Sequence, residues 1–260
     1  MSIETLPAAT SGTYCIGGDL PVHRIGYGTM QLTGPGHWGY PVDIDNAVQV
    51  LRRAVELGVN HIDTADAYGP DVAETLIRKA LHPYREEVVI ATKGGLTRQG
   101  PNRWTPVGRP PYLRQCLEMS LRRLDLDSID LYYLHRVDTE VPLEDQVGAL
   151  ELAREQGKIR HIGLSKVTVA QIQAAQTITP IAAVQNKFCL AGDGDREVLD
   201  YCEQNGLAFV PYAPLGAGNL SLTPRVALRW LLEQSPAVLP IPGTADLAHL
   251  AENVAVGVPR

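Results

Sequence analysis

Residues 43–69, DIDNAVQVLRRAVELGVNHIDTADAYG, contain one amphipathic helix followed directly by one short apolar strand. From Ile44 to Val55, apolar side chains recur in the order i, i+3, i+4 and i+7, the pattern of a helix with one buried face. Gly58 supplies the stop signal of this helix, and the following strand, 60–63, ends in Asp63. A helix and a strand alternating in this way are typical of an α/β fold.

The same unit recurs along the chain from about residue 24 onwards. Short apolar strands are predicted at 24–28, 60–63, 88–92, 129–133, 159–164, 182–185, 207–211 and 238–241. Helices are predicted at 44–57, 72–80, 111–124, 143–156, 168–176, 196–205, 225–234 and 246–253. These repeats within 260 residues indicate a (β/α)8 TIM barrel made by one domain, residues 1–260. Residues 13–23 predict a β-hairpin with a Gly-Gly-Asp turn that caps the bottom of the barrel.

Composition and charge narrow the function classes. The net charge of −6 and the lack of a Lys/Arg run argue against nucleic acid and anionic membranes as partners. The first residues do not resemble a signal peptide, and no apolar run reaches membrane-spanning length. The scattered cysteines show no metal-ligand spacing, so no metal is predicted and reduced thiols in the cytoplasm are expected. We therefore expect a cytoplasmic monomer that acts on a small molecule.

Polar side chains follow the second, third and fourth predicted strands. Asp63 and Tyr68 follow the second strand, Lys93 the third and His135 the fourth. Because barrel enzymes place their chemistry at the carboxyl ends of the strands, we expect these side chains to meet at one rim. A neighbouring ammonium favours a phenolate, so Lys93 is expected to lower the pKa of Tyr68 and make it a proton donor near neutral pH. Asp63 would keep Lys93 charged, and His135 would donate a hydrogen bond to a carbonyl oxygen. This set suits carbonyl reduction by a hydride from a cofactor.

The later strand ends offer places for such a cofactor. Ser165 and Gln185 carry polar groups that suit a carboxamide, and Tyr212 offers a flat face to an aromatic ring. The loops PLGAG, 214–218, and IPGTAD, 241–246, contain small residues that let backbone amides approach a phosphate. An open dinucleotide-binding sheet would show G-x-G-x-x-G after its first strand, and this motif does not occur.

Several strings together resemble the aldo-keto reductase superfamily over nearly the whole chain. In chain order they are GYGTMQ, HIDTADAYG, VIATKGG, IDLYYLHR, IRHIGLSK, VQNKF, PYAPLG and IPGT followed by HLAEN. The resemblance implies that Asp63, Tyr68, Lys93 and His135 form a catalytic tetrad with Tyr68 as the proton donor. It also implies reduction of an aldehyde or ketone by NADPH, with the nicotinamide ring stacked on Tyr212. Residues 26–39 further resemble the pyridoxal reductase branch.

The resemblance and the strand ends together give a set of expected contacts. The expected cofactor-binding residues are Thr29, Met30, Asp63, Ser165, Lys166, Gln185, Tyr212, Ala213, Leu215, Gly216, Ile241, Gly243, Thr244, His249, Glu252 and Asn253. The expected substrate contacts are Tyr68, His135, Trp38 and Trp104.

Two departures from the family pattern bear on the expected cofactor contacts. Lys166 stands where the family usually has Asn, and Gly243, Ala245 and His249 replace the basic residues that the family places around a 2′-phosphate. The family favours NADP, and these replacements keep NAD as an alternative cofactor.

Other functions of a barrel fit the strand ends less well. A glycosidase needs two carboxylates across the substrate, and a metal-dependent hydrolase needs a cluster of ligands that the rim does not offer. A Schiff-base aldolase could use Lys93 or Lys166 as a neutral amine, although Asp63 would keep Lys93 protonated. A non-catalytic barrel that binds nicotinamide as a redox sensor is the other alternative.

Overall fold

The parallel strands follow one another around a sheet in chain order. The computed structural model describes residues 6–190, 192, 194–215 and 223–257. Each strand pairs in parallel with the next one along the sheet. These strands are β3 (Tyr27–Gly28), β4 (His61–Asp63), β5 (Val89–Gly94), β8 (Ile129–Leu134), β9 (Ile159–Ser165), β10 (Ile181–Gln185) and β11 (Ala208–Phe209). All carboxyl ends of the parallel strands therefore face the same rim.

The segment 237–242 closes the sheet into a barrel. On one side, Phe209 N donates to Ala237 O at 2.8 Å and Leu239 N donates to Phe209 O at 2.8 Å. On the other side, the amides at 26 and 28 donate to the carbonyls of the two prolines at 240 and 242, at 2.9 and 3.4 Å. Proline has no N–H, so Pro240 and Pro242 can accept backbone hydrogen bonds but cannot donate them. For this reason the regular strand predicted at 238–241 is reduced to an isolated bridge at Val238. The prediction of a (β/α)8 barrel is confirmed.

Eight helices of the described chain lie within two residues of their predicted bounds. They are α1 (Ile44–Glu56), α2 (Val72–Leu81), α3 (Pro110–Leu124), α4 (Leu143–Glu155), α5 (Val169–Gln176), α6 (Arg196–Gln204), α7 (Pro224–Gln234) and α8 (Leu247–Val254). Local signals set their ends: Asp43 accepts a hydrogen bond from the amide of Asn46, and Thr168 forms a capping box with Gln171. In the described residues, no helix is both long and apolar enough to cross a membrane.

The N-terminal hairpin forms where it was predicted. It consists of β1 (Thr13–Ile16) and β2 (Leu20–His23), and its turn uses Gly17 and Gly18 at φ of 64° and 88°. Apolar side chains of the hairpin join the cluster inside the barrel: Ile16, Leu20 and Val22 pack with Val89, Leu131, Ala182 and Ala183. Two of these partners, Val89 and Ala182, lie at the amino ends of their strands. The hairpin therefore caps the bottom of the barrel, opposite the rim formed by the carboxyl ends of the strands.

A second hairpin, which sequence reasoning missed, follows β5. It consists of β6 (Leu96–Arg98) and β7 (Trp104–Pro106), which pair antiparallel. Each strand has only three residues, too few for an alternating pattern to be recognised in sequence. The hairpin brings Arg98 and Trp104 to the rim where the four predicted catalytic side chains lie.

Candidate active site

A cavity of about 820 Å³ opens at the carboxyl ends of the strands. This size is typical of a site for a small molecule or a cofactor. Its wall includes many of the predicted residues: Thr29, Met30, Asp63, Tyr68, Trp104, His135, Ser165, Lys166, Gln185, Tyr212, Ala213, Leu215, Ile241 and Gly243. The structure thus brings together residues as far apart in the chain as Thr29 and Gly243, because parallel strands all end at this rim.

A buried ion pair lies beneath the cavity. The Nζ atom of Lys93, at the end of β5, donates to Asp63 Oδ1 at 2.6 Å and to the carbonyl of Thr64 at 2.7 Å. The second carboxylate oxygen of Asp63 accepts from Gln185 Nε2 at 2.8 Å. Burial alone lowers the pKa of Lys93, but Asp63 and Tyr68 oppose this effect and the pKa is raised above its usual value. Lys93 is therefore a fixed, protonated cation.

Tyr68 lies between this cation and the cavity. Its side chain is 8% exposed, and the Nζ atom of Lys93 is 5.2 Å from the centre of its ring. Burial raises the pKa of Tyr68, and the charge of Lys93 offsets only part of this increase. The expected direction of the Lys93 effect is correct, but the expectation of a pKa below the usual value is wrong for the protein alone. The cause is desolvation, since the phenol is removed from water.

His135 completes the group at the end of β8. Its ring stands edge-on to the ring of Tyr68, with 5.9 Å between centres and an angle of 82°. Burial, followed by the charge of Lys93, holds the pKa of His135 well below its usual value. The imidazole is therefore neutral near pH 7, and its buried Nδ1 has no hydrogen-bond partner among the described residues. A neutral imidazole has one N–H, which can be directed at a ligand oxygen.

The remaining predicted cofactor residues lie outside the described wall of this cavity. Asn253 is buried and its Oδ1 has no partner in the described chain, while Glu252 and His249 are exposed on α8. The carboxylate of Asp246 accepts hydrogen bonds from the amides of residues 248 and 249, so these first-turn donors already have an anionic partner. Thr244 accepts from the hydroxyl of Tyr27 through its carbonyl. Gly216 lies outside the described residues.

The sequence profile of the Aldo/keto reductase family matches residues 24–224. This chain belongs to that family. An uncharacterised oxidoreductase of Schizosaccharomyces pombe is 46% identical to this aldo/keto reductase over 266 residues, with 96% of this chain and 86% of the relative covered. Pyridoxine 4-dehydrogenase of Escherichia coli is 42% identical over 266 residues, with coverage of 95% and 93%.

A solved structure agrees with this assignment. An aldo-keto reductase from Klebsiella pneumoniae, crystallised in complex with NADPH, matches this aldo/keto reductase with a TM-score of 0.79 and 27% identity. The match covers 94% of this chain and 89% of the other. The barrel derived above is therefore the fold of the family.

One arginine of this aldo/keto reductase connects several loops beside the cavity through hydrogen bonds. The guanidinium of Arg98 lies 3.6 Å from the ring centre of Trp104 and 5.6 Å from that of Trp38. It donates hydrogen bonds of 2.7 to 3.3 Å to the backbone carbonyls of Gly36, His37, Ala67, Gly100 and Arg103. Of the two tryptophans predicted to contact substrate, Trp104 lines the cavity, whereas Trp38 lies outside its described wall and is 38% exposed.

Arg136 lines the cavity but was not singled out from the sequence. It follows His135 directly, so its position at a strand end was the signal that could have identified it. Its neighbour in the wall, Lys166, has a left-handed backbone at φ 57° and places Nζ 5.0 Å from the ring centre of Tyr212. Lys166, which differs from the family pattern, thus lies over the ring of Tyr212, on which the nicotinamide is expected to stack.

Proposed function

We propose that this chain reduces an aldehyde or ketone to an alcohol with NADPH, and that Tyr68 donates the proton. The observation that carries this proposal is the buried Lys93–Asp63 pair next to the Tyr68 phenol, with neutral His135 beside it on the cavity wall. Proton transfer to an oxygen requires an acid, a group that stabilises its anion and a donor that positions the oxygen. Tyr68, Lys93 and His135 provide these three groups.

Each group has a separate role in this proposal. The carbonyl oxygen accepts hydrogen bonds from the Tyr68 hydroxyl and the His135 ring, which hold it in place as negative charge develops. Tyr68 then gives its proton to that oxygen, and the Lys93 ammonium stabilises the phenolate that remains. Asp63 and Thr64 fix the ammonium in position through the hydrogen bonds described above. The bound nicotinamide supplies the hydride.

The cavity wall fits a nicotinamide cofactor. Ser165 and Tyr212 line it, and the buried Oγ1 of Thr29 has no partner among the described residues. We propose NADPH as the first cofactor because the Klebsiella pneumoniae relative was crystallised with it, and NADH as the alternative. The Escherichia coli relative is named a pyridoxine 4-dehydrogenase, which makes pyridoxal a substrate to test first. We further propose that the enzyme acts as a cytoplasmic monomer.

The two other functions differ from this proposal in measurable ways. A Schiff base needs a neutral amine, and Lys93 is a buried cation with a raised pKa. Lys166 is the lysine closer to that chemistry, because it lines the cavity and burial together with Arg136 lowers its pKa. Borohydride trapping of a carbonyl substrate onto Lys166 would therefore support an aldolase. A redox sensor would bind NADPH tightly without reducing carbonyl compounds.

The experiment is to follow the oxidation of NADPH and of NADH at 340 nm with a panel of aldehydes and ketones, including pyridoxal. The proposal predicts consumption of cofactor and formation of an equal amount of alcohol. For the variant Tyr68→Phe, the matched control is Tyr132→Phe, which removes a hydroxyl without a described partner from a buried tyrosine on β8 that is not in the cavity wall. Cofactor binding without any alcohol product across the panel would contradict the proposal and favour the sensor.

A further inference from the structure

Two cationic side chains lie together on the cavity wall beside the proposed acid site. Arg136 follows His135 at the end of β8, and Lys166 follows Ser165 at the end of the adjacent strand β9. The charge of Arg136 contributes to lowering the pKa of both His135 and Lys166, which shows that the three groups are close enough to interact. This pair is called the cationic pair below.

The cationic pair has no carboxylate of its own. Neither Arg136 nor Lys166 forms an ion pair with an acidic residue in the described part of the chain. The Nε atom of Arg136 is buried and has no hydrogen-bond partner among the described residues. A buried guanidinium N–H without a partner is rare in proteins, and it is commonly satisfied by a ligand or by water.

The rest of the wall does not neutralise this charge. Asp63 is the acidic residue of the described wall, and its carboxylate is already paired with Lys93 and Gln185. The charge of Asp195 contributes, after burial, to raising the pKa of Tyr212, and Asp195 is exposed. The described wall therefore carries net positive charge next to the group proposed to hold the carbonyl oxygen.

We propose that the cationic pair binds an anionic oxygen group of the carbonyl substrate, so that the enzyme prefers aldehydes or ketones that carry a carboxylate, a phosphate or a phenolate. This inference rests on the proposed function and adds the substrate class. A guanidinium can bind a carboxylate through two parallel hydrogen bonds, and Lys166 adds a second positive charge. Arg136 and His135 line the same cavity, so an anion on Arg136 and a carbonyl on His135 can belong to one small molecule. The phosphates of the cofactor are the other source of the same chemistry.

The first test compares two aldehydes of similar shape, 4-carboxybenzaldehyde and 4-methylbenzaldehyde. The wild-type enzyme should show a kcat/KM at least about tenfold higher for the carboxylate, the size expected for a hydrogen bond to a charged group. In Arg136→Met the ratio should fall towards one, mainly through KM of the carboxylate. Arg136→Lys should retain part of the preference. Arg53→Met, an exposed arginine of α1 paired with Glu56, is the control that should leave the ratio unchanged.

The second test does not depend on turnover. Benzoate and benzamide are titrated by calorimetry into the wild type, Arg136→Met and Lys166→Met, with and without saturating NADP⁺. We expect benzoate to bind more tightly than benzamide in the presence of NADP⁺, and this difference to shrink at least about fivefold in Arg136→Met. The dissociation constant of NADPH, followed by its fluorescence, should change by less than about twofold in Arg136→Met.

Each outcome decides the proposal. If NADP⁺ displaces benzoate and Arg136→Met weakens NADPH binding, the cationic pair serves the phosphates of the cofactor and the proposal is wrong. An unchanged preference for the carboxylate in Arg136→Met would also refute it. If the wild type reduces no carbonyl compound, the proposed function fails, and the benzoate titration without cofactor still tests whether Arg136 binds an organic anion.

Discussion

Lys93→Met removes the cation of the buried pair and leaves its partner in place. Both side chains are almost fully buried, so the carboxylate of Asp63 would keep only the hydrogen bond from Gln185. Removing one member of a buried ion pair typically costs about 3–5 kcal/mol, because the other charge stays desolvated without compensation. We therefore expect the free energy of unfolding to fall by about that amount, together with loss of turnover.

The double variant Asp63→Asn/Lys93→Met separates the charge from the loss of packing. It removes both charges at once, so its free energy of unfolding should recover by at least about 2 kcal/mol relative to Lys93→Met, while turnover stays absent. The assay is equilibrium unfolding in urea at pH 7, followed by circular dichroism, for the wild type, both single variants and the double variant. Additive effects of the two substitutions would refute the account, because they would mean that the two charges do not interact.

Three further predictions follow from the same structure. Burial and the charge of Glu74 raise the pKa of Asp66 to about 8. The unfolded chain releases this proton near pH 4, whereas the folded protein keeps it up to about pH 8. The free energy of unfolding should therefore fall as the pH rises from about 4 to about 8. Asp66→Asn should thus flatten the dependence of urea unfolding on pH and add roughly 3–4 kcal/mol at pH 7, whereas an unchanged curve would contradict the buried acid. The pKa of His135 is lowered well below 6.5, so kcat/KM should show no decrease from imidazole protonation between pH 5.5 and 7.5. A decrease of kcat/KM with a midpoint near pH 6.5 would show that His135 becomes charged in the free enzyme. In Arg98→Lys, the lysine cannot make all of the hydrogen bonds that Arg98 makes to five carbonyls. The KM for the carbonyl substrate should therefore rise about tenfold and the fluorescence of Trp104 should change, while the affinity for NADPH stays the same. An unaltered KM would refute the positioning role of Arg98.

The helices and the gathering of polar side chains at one rim could be predicted from the sequence because both depend on local signals. Periodic apolar residues and caps set the helix bounds, and the order of strands in a parallel barrel places all strand ends on one side. This is why Asp63, Lys93 and His135 could be brought together before any coordinates were known. The capping hairpin was predictable for the same reason, since its Gly-Gly turn is a local signal.

The features that sequence reasoning missed depend on tertiary structure. The strand predicted at 238–241 is irregular because Pro240 and Pro242 cannot donate to the neighbouring strand. The pKa of Tyr68 is raised because its desolvation outweighs the Lys93 charge, a balance that only packing determines. Arg98 and Arg136 were not singled out from the sequence, because the carbonyls and the cavity that surround them are contributed by distant segments.

The variant Tyr68→Phe shows whether the phenol of Tyr68 donates the proton. The variant keeps the ring beside Lys93 and His135 but has no proton to give. Stopped-flow measurement of NADPH oxidation with an aldehyde at saturation should show a rate lower by about 10²–10⁴-fold, the usual contribution of a general acid, while the dissociation constant of NADPH changes by less than twofold. A variant that retains most of the wild-type rate would show that the proton comes from another group.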